Sequence, residues 1–186
     1  RVADRFAAIG AYGFRNAQMA LLAALVTGDP LLLIGHAGTG KTFLLNSISE
    51  ALGLEHRHYN ASLIAFDDLV GFPYPDEARE TVRFLQTPAT IWGAESVLVD
   101  EISRCKPEHQ NRLFSLVHER RIQGIALERL RYRWAAMNPP GADQADRGGV
   151  ARGYFGQRLL RHRGIEFHHA VARDSKHRRR QTGHVP

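Results

Sequence analysis

The chain has 186 residues, of which 44% are hydrophobic and 24% are charged, a composition typical of one soluble globular domain. Because no apolar run approaches the ~18 residues of a membrane span and no signal peptide opens the chain, we expect neither a membrane nor a secreted protein. The one cysteine, Cys105, cannot form an internal disulfide, which favours a cytoplasmic location. The first residue is Arg1 and not Met, which indicates a fragment of a longer reading frame.

The net charge of +6 lies wholly in the last quarter of the chain. Residues 141–186 carry nine Arg and one Lys against three Asp and one Glu, whereas residues 1–140 carry 15 basic and 15 acidic side chains. A nucleic-acid-binding domain needs a basic face on its folded part. Residues 1–140 have no net charge to supply one, so a nucleic-acid partner is not favoured.

Residues 1–140 alternate between helical and strand patterns. Apolar residues at helical spacing and short apolar runs bounded by Gly, Pro and Asp distinguish the two. The first half is predicted to contain a helix within 14–29, a strand over 31–35, a helix over 41–52 and a strand over 55–60. The second half is predicted to contain a weak strand over 81–85, a strand over 96–102, a helix over 107–120, a hairpin around Gly124 and a strand over 132–139.

Strands separated by helices predict an α/β domain with a mostly parallel sheet in a three-layer α/β/α sandwich. In such a fold the ligand lies at the carboxyl ends of the strands. The apolar runs over 31–35 and 97–99 agree with a sheet that helices cover on both faces.

The stretch "GHAGTGKT" at 35–42 satisfies the phosphate-binding pattern G-x-x-x-x-G-K-[ST] between a predicted strand and a predicted helix. Its glycines allow a tight turn whose N–H groups converge on phosphate at a helix N-terminus. Lys41 would bring positive charge to the phosphates, and the Thr42 hydroxyl would ligate Mg²⁺. The residues expected to bind the nucleotide are Gly35, His36, Ala37, Gly38, Thr39, Gly40, Lys41, Thr42 and Phe43.

An acidic pair follows the apolar strand in "SVLVDEISR". We expect Asp100 to reach the Mg²⁺ shell and Glu101 to polarise the attacking water, the division of labour that hydrolysis needs. The plain alternative is an acidic pair that caps a strand end, and the phosphate loop upstream makes the catalytic interpretation the better one.

Asn138 in "AAMNPP" also follows a predicted apolar strand. Alone it indicates a turn before proline. As the third polar residue at the end of three apolar strands, it is predicted to position the attacking water and to contact the γ-phosphate.

Together these motifs resemble the AAA+ ATPases, and within them the MoxR-like branch, a dynein-related core. The resemblance covers roughly residues 9–141. "GHAGTGKT" is similar to Walker A, "VLVDE" to Walker B and "AAMNP" to sensor 1. "DDLVGFP" and "TVRFLQTPATIW" resemble the segment where that branch inserts a hairpin into its second helix, and "RRIQGIALERLR" resembles its hairpin before sensor 1.

The resemblance implies a P-loop NTPase that binds ATP and Mg²⁺. It also implies a homo-oligomeric ring, usually a hexamer, that couples ATP hydrolysis to the remodelling of a partner protein, often one with a von Willebrand factor A domain. Two alternatives stay open: a nucleotide-binding module without turnover, and a nucleic-acid motor or loader of the same superfamily.

The last quarter departs from the family. An arginine finger near "Asp-Arg-Phe" and a small helical lid would follow sensor 1, but the chain has "ADRGG" there, and neither a fifth strand nor a lid is identifiable. Arg147 and Arg152 are finger candidates by position only. Residues 141–186 are therefore predicted to be a basic tail: disordered, or a short helix over 154–163 and then disordered, or non-native sequence from a frameshift or truncation, which is favoured.

Several further side chains are weaker candidates. Arg104 and Arg112 could face a neighbouring subunit, although a solvated helix surface is the preferred interpretation. His56 and His58 alternate on a strand without the further ligands that zinc needs. The remaining expectations are a short helix capped by Asp67 or Asp68, an adenine-pocket wall over Ile9–Phe14, and core positions at Phe43, Leu44, Leu45 and Ile48.

Overall fold

The computed structural model describes residues 3–78, 80–139 and 168–172, with the last segment described through its backbone alone. Two 3₁₀ turns cover Arg5–Ile9 and Ile102–Arg104. The α-helices are α1 (Gln18–Thr27), α2 (Lys41–Ala51), α3 (Phe66–Val70) and α4 (Pro107–Glu119).

The strands form one central sheet and two hairpins. The central sheet contains β1 (Leu31–Gly35), β2 (His56–Asn60), β5 (Ser96–Asp100), β8 (Tyr132–Met137) and β9 (His168–Ala172). The hairpins pair β3 (Pro73–Asp76) with β4 (Thr81–Phe84) and β6 (Arg121–Ile122) with β7 (Ile125–Ala126).

The central sheet is parallel and has the order β2-β5-β8-β1-β9. The chain leaves β1 toward the β2 edge, and β9 lies on the opposite side of β1. The carboxyl end of β1 is therefore the point where the strand order reverses, which is where α/β sheets bind their ligands.

Alternate residues of the strands face two separate apolar clusters. Leu31 and Leu33 pack with α1 and α2 on one face, while Leu32 packs with α3 and α4 on the other. On β5, Leu98 likewise faces the side of α1 and α2, and the residues directly before and after it face the side of α3 and α4. Because both faces are covered by helices, β1 and the middle of β5 are apolar on both sides, and the predicted three-layer α/β/α fold is confirmed.

Most element bounds differ from the prediction by a few residues at the ends. Helix α1 begins at Gln18, well inside the predicted 14–29, and ends at Thr27, after which the left-handed backbone of Gly28 closes the last turn. The short helix predicted near Asp67 and Asp68 is α3, where the Asp68 carboxylate accepts a hydrogen bond from Ala65 N–H at 3.2 Å.

A fifth strand was not identifiable from the sequence, and the structure corrects this. Strand β9 pairs in parallel with β1, with Leu31 opposite His168 and Gly35 opposite Ala172. The segment lies in the Arg- and His-rich last quarter, where apolar residues are too sparse to produce a strand pattern. The other predictions for residues 141–186, including the domain boundary near residue 140, the helix over 154–163 and the missing lid, lie outside the described residues.

One core assignment from the sequence was also wrong. Leu44, Leu45 and Ile48 of α2 are buried, but Phe43 is 55% exposed. Helical geometry turns positions 44, 45 and 48 toward the sheet and leaves position 43 on the side of the N-terminal segment. Within the described part of the chain, no helix is long and apolar enough to cross a membrane.

Candidate nucleotide-binding site

The phosphate-loop motif connects β1 to α2 at the centre of the sheet. Gly40 occupies the left-handed region with φ of 80°, so that α2 begins directly after it at Lys41. The tip of the loop, His36 to Gly38, is exposed to solvent. The Thr39 hydroxyl closes the turn by donating to the His36 carbonyl at 2.8 Å. A helix N-terminus behind an accessible turn is an arrangement that binds anions.

Lys41 projects its ammonium group into the loop while its side chain is buried. Nζ donates to the Gly35 carbonyl at 2.7 Å and the His36 carbonyl at 2.9 Å, and it lies 3.4 Å from Oδ1 of Asn138. Burial lowers the pKa of Lys41, and the nearby carboxylates of Asp100 and Glu101 act in the opposite direction. The structure therefore brings Lys41 and Asn138 together at the carboxyl end of the sheet.

Thr42 and Asp100 meet across the space between α2 and β5. The Thr42 hydroxyl donates to Oδ2 of Asp100 at 2.5 Å, and Oδ1 accepts the Glu101 N–H at 2.8 Å. A hydroxyl and a carboxylate in contact form a hard oxygen donor pair, which suits Mg²⁺, a cation that uses few protein ligands and completes its shell with phosphate and water. The residues present fit that cation.

Asp100 also faces His58 on the neighbouring strand β2. His58 Nε2 lies 3.7 Å from Oδ2 of Asp100, an electrostatic contact that is too long for a good hydrogen bond. Burial acts to raise the pKa of Asp100, but interactions with His58, Thr42 and the Glu101 N–H outweigh it and hold the pKa below its ordinary value. Asp100 is therefore a carboxylate at neutral pH.

A row of hydrogen bonds leads from α2 through β2 to His58. It joins Ser49 Oγ to Ser96 Oγ at 2.6 Å, Ser96 Oγ to His56 Nδ1 at 2.7 Å, and His56 Nε2 to Asn46 Oδ1 at 3.0 Å. Asn46 Nδ2 then lies 3.4 Å from His58 Nδ1. With the Asn46 amide accepting from His56, its Nδ2 faces His58 Nδ1, and Nε2 is the ring nitrogen of His58 that faces Asp100. The sequence offered only the alternation of the two histidines as a signal for this network.

Glu101 follows β5 and has a left-handed backbone, with φ of 51° and ψ of 38°. Its Oε2 lies 3.2 Å from the Ser62 Oγ, and its Oε1 lies 3.7 Å from Arg104 Nη1. Ser62 is in turn held by Asn60 at the end of β2, through Oγ to Oδ1 at 2.6 Å. The carboxylate thus has defined partners beside Asp100, and the sequence analysis did not identify Ser62 or Asn60.

The N-terminal segment lies against the phosphate loop. Phe14 is buried, and its ring lies 3.8 Å from the position where a Cβ on Gly40 would lie. The ring of Phe43 lies 3.7 Å from the corresponding position on Gly10. This places the predicted wall over Ile9–Phe14 next to the loop, on the side where the ring of Phe43 is exposed.

The predicted arginines divide into two groups. Arg104 pairs with Glu101, while Arg112 is exposed and stacks its guanidinium 4.0 Å from the Phe66 ring centroid. The finger candidates Arg147 and Arg152 lie outside the described residues.

A parallel sheet flanked by helices, with a phosphate loop at the point of strand reversal, defines the P-loop NTPase fold. Residues 30–133 match the family described as AAA domain (dynein-related subfamily). The chain belongs to this family. A sequence comparison with curated proteins gives no match.

Solved structures share the fold at low sequence identity. A candidate ATPase from Cytophaga hutchinsonii is similar over 76% of this chain, with 20% identity and a TM-score of 0.51. NtrX from Brucella abortus is similar over 87% of this chain, with 14% identity and a TM-score of 0.54. This chain spans 42% and 37% of those two proteins, respectively.

Proposed function

We propose that this chain is the ATP-binding and ATP-hydrolysing core of a ring-forming, MoxR-like AAA+ ATPase that remodels a partner protein. The observation that carries the proposal is the contact of Thr42 with Asp100 beside the ammonium group of Lys41. A hydroxyl, a carboxylate and a lysine at the N-terminus of one helix are the groups that a triphosphate and its magnesium ion need.

The proposed mechanism assigns one task to each side chain. Lys41 and the loop N–H groups neutralise the phosphate oxygens. To do so, the Lys41 ammonium group gives up its hydrogen bonds to the loop carbonyls and binds phosphate oxygens instead. Thr42 and Asp100 would hold Mg²⁺, which when bound would neutralise charge on the phosphates. Glu101 takes the proton of the attacking water, and Asn138 orients that water.

Hydrolysis requires Glu101 to be free to accept a proton. In this structure its two oxygens face Ser62 and Arg104, so one of these contacts must yield to the attacking water. A cationic side chain from an adjacent subunit would complete the site in a ring, as arginine fingers do for other phosphoryl-transfer enzymes. Assembly, into a hexamer by the family resemblance, is therefore part of the proposal.

A protein partner fits the surface better than a nucleic acid. Residues 1–140 have equal numbers of basic and acidic side chains, whereas nucleic-acid binding depends on a basic face. Large apolar side chains are instead exposed on the β3–β4 hairpin and beside it, including Phe72, Val82 and Leu85. A von Willebrand factor A domain is the partner that the family resemblance suggests.

The decisive experiment measures ATP turnover per subunit as a function of protein concentration. Wild type should become faster per subunit as concentration rises, because subunits complete each other's sites. Glu101→Gln should bind ATP but turn over at least about 100-fold more slowly, the magnitude of a lost general base. Glu50→Gln, which changes an exposed glutamate of α2, is the matched control and should resemble wild type.

Two results would contradict the proposal. ATP binding without turnover above the Glu101→Gln rate at any concentration would make the chain a nucleotide-binding module without turnover. Strong stimulation of turnover by DNA would favour a motor or loader.

The site itself is tested by Lys41→Ala, with Lys106→Ala as the control because Lys106 is exposed. Loss of the ammonium group should weaken ATP binding at least about tenfold, since hydrogen bonds to charged groups contribute roughly 1.5–3 kcal/mol each. Equal affinity of Lys41→Ala and Lys106→Ala for ATP in a calorimetric titration would refute the assignment.

A further inference from the structure

The β3–β4 hairpin has two outer edges, and they differ in chemistry. Leu85 N–H donates to the Phe72 carbonyl at 2.9 Å, which makes residues 72 and 85 a hydrogen-bonded pair. In an antiparallel ladder such pairs recur at every second residue. The next is Tyr74 with Arg83, so the pairs Pro73–Phe84 and Pro75–Val82 turn their backbone groups outward.

The outer edge of β3 cannot accept another strand. Its two outward positions within the ladder are Pro73 and Pro75, and proline has no backbone N–H to donate. Prolines at such positions are a common way in which proteins block an exposed edge.

The outer edge of β4 is open. Val82 and Phe84 turn their N–H and carbonyl groups away from β3, and neither residue makes a further hydrogen bond among the described residues. The same spacing places Gln86 next along this edge. Three alternate residues therefore offer the unpaired groups that an added strand would need.

A groove of about 540 Å³ lies beside β4. Five consecutive residues of the β4 segment line it, and aromatic and aliphatic side chains form the other walls. The lining residues are Val82, Arg83, Phe84, Leu85 and Gln86 on the strand side, with Tyr74, Trp92 and Ile125 around them. At about 3.3 Å per residue, five residues span about 13 Å, enough for a short extended segment.

Contacts with Trp92 and with the end of α3 hold the groove in place. Trp92 Nε1 donates to the Val70 carbonyl at 2.6 Å, and its ring stacks on Phe84 with centroids 5.6 Å apart. A Cβ on Gly71 would lie 2.2 Å from the Leu85 carbonyl oxygen, so the base of the hairpin rests directly on the end of α3. The open edge is thus presented on a fixed support, which reduces the entropy cost of binding.

The charge of the groove limits what can occupy it. Arg83 is the one charged side chain among the residues that line it, and its guanidinium is about half exposed and 3.6 Å from Asp76 on β3. The pleat places Arg83 on the same face as Tyr74, and Val82 and Phe84 on the face of Trp92. An added strand would therefore meet apolar surface at alternate residues and a positive charge between them.

We propose that the open edge of β4 binds an extended segment of a partner protein as an added strand, with apolar residues on the Trp92 face and an acidic residue opposite Arg83. The proposal rests on the proposed function only in taking a partner protein as the occupant. The pairing itself depends on the backbone of β4 and not on the nucleotide site.

The first test uses a synthetic probe, the capped peptide acetyl-Val-Asp-Val-Thr-Val-Thr-amide, titrated to about 5 mM into ¹⁵N-labelled protein, a range that detects millimolar dissociation constants. The amides of residues 82, 84 and 86 should shift and become protected from exchange. The same peptide with alternate amides N-methylated keeps every side chain but cannot pair, and should bind at least about fivefold more weakly. Equal binding of both peptides, or no shift with either, would overturn the proposal.

The second test changes the protein. Val82→Pro removes one outward N–H without touching the ladder to β3 and should weaken the peptide about five- to tenfold, the effect of a lost backbone hydrogen bond. Val82→Thr retains the N–H and the β-branched shape and should bind as wild type does. Arg83→Glu should weaken this peptide and strengthen one that carries Lys in place of Asp. If Val82→Pro and Val82→Thr bind alike, the edge is not the site.

Two controls separate this proposal from its alternatives. Shifts at residues 82–86 that grow with protein concentration in the absence of peptide would identify a second copy of the chain as the occupant and overturn the assignment to a partner. ATP affinity, measured on the same Val82 variants, should not change. If the peptide does not bind and ATP does, the strand-addition proposal alone is refuted. If ATP does not bind and the peptide does, the nucleotide site alone is refuted.

Discussion

The carboxyl end of the central sheet and the outer edge of β4 differ in whether their polar groups have hydrogen-bond partners. At the sheet, Lys41, Thr42 and Asp100 are hydrogen-bonded to the loop and to each other. At the β4 edge, the outward groups of Val82 and Phe84 have no partner among the described residues. The polar side chains of the first region are hydrogen-bonded within the chain, whereas the outward groups of the second would be paired only by an added strand.

This difference matches two kinds of ligand. Preorganised side chains select a small ligand of fixed shape, because they pay little reorganisation on binding. Backbone groups along an open edge select only an extended conformation, and pockets beside them read alternate side chains. The central sheet is therefore suited to one nucleotide, while the hairpin edge is suited to segments of varied sequence.

The largest loss of stability is expected when Arg133 on β8, in the central sheet, is replaced. This buried guanidinium donates to the Gly28 carbonyl at 2.6 Å and to the Val117 and His118 carbonyls at 3.3 and 3.4 Å, so it joins the ends of α1 and α4. Arg133→Met should leave these carbonyls without a donor and lower the free energy of unfolding by about 3 kcal/mol. Denaturation followed by tryptophan fluorescence measures it.

The matched control for Arg133 is Arg131→Met. Arg131 is exposed, and its guanidinium lies 5.1 Å from the Tyr132 ring centroid. A surface substitution of this kind should change stability by less than about 0.5 kcal/mol. Similar losses for the two variants would show that the three carbonyl contacts do not stabilise the fold.

A smaller effect, confined to the hairpin, is expected for Gly71→Ala. The new Cβ would meet the Leu85 carbonyl, and the backbone at Gly71 has φ of 80°. Gly93→Ala is the matched control, because φ is 77° there but no atom lies within 4 Å of the added Cβ. A positive φ alone costs an alanine about 1 kcal/mol at either site, and in Gly71→Ala the ψ of 176° and the clash with Leu85 should add to that cost.

Hydrogen exchange distinguishes a loss of stability in the hairpin from a loss of stability in the whole domain. The amides of Arg83 and Leu85 should exchange about tenfold faster in Gly71→Ala than in Gly93→Ala, while amides of β5 keep their rates. Faster exchange of β5 by the same factor would mean that the hairpin and the sheet open as one unit, and the contrast between the two regions would then fail.

A further effect, seen only as the pH is lowered, concerns the hydrogen-bonded network beneath Asp100. Burial, with His58 and Arg57 nearby, lowers the pKa of His56 from 6.5 to about 4. The unfolded chain therefore binds a proton between pH 6.5 and 4 that the folded chain does not. The stability tied to neutral His56 is fully present above pH 6.5 and is lost as the pH falls toward 4.

His56→Gln removes this titration while keeping a donor for Asn46. Its free energy of unfolding should fall less than that of wild type between pH 6.5 and pH 4, as measured by urea denaturation at several pH values. Parallel pH profiles for the two proteins would show that His56 does not titrate as its burial predicts.

The sequence predicted the central sheet well because its signals are local. Apolar runs over β1, β5 and β8 and the glycines of the phosphate loop each fix their own element. Polar residues that follow those strands must then share one edge of a parallel sheet. The meeting of Lys41, Asp100 and Asn138 was predictable for that reason.

The remaining features depend on contacts between distant segments. Strand β9 becomes a strand only by pairing with β1, since its own sequence has no clear pattern. Arg133 lies in a strand where alternation gives no indication that a guanidinium is buried. Ser62 and His58 reach the site because β2 lies beside β5, which no motif encodes. The unequal edges of the hairpin could have been derived from Pro73 and Pro75, but only once the register with β4 was known.

Glu101 has a consequence for how this chain can change over time. A non-glycine residue with φ of 51° costs roughly 1 kcal/mol relative to glycine. Selection for stability alone would therefore favour the loss of this carboxylate, and a laboratory library screened only for thermal resistance should drift away from it. Under the proposed function, its retention would reflect selection for turnover and not for stability.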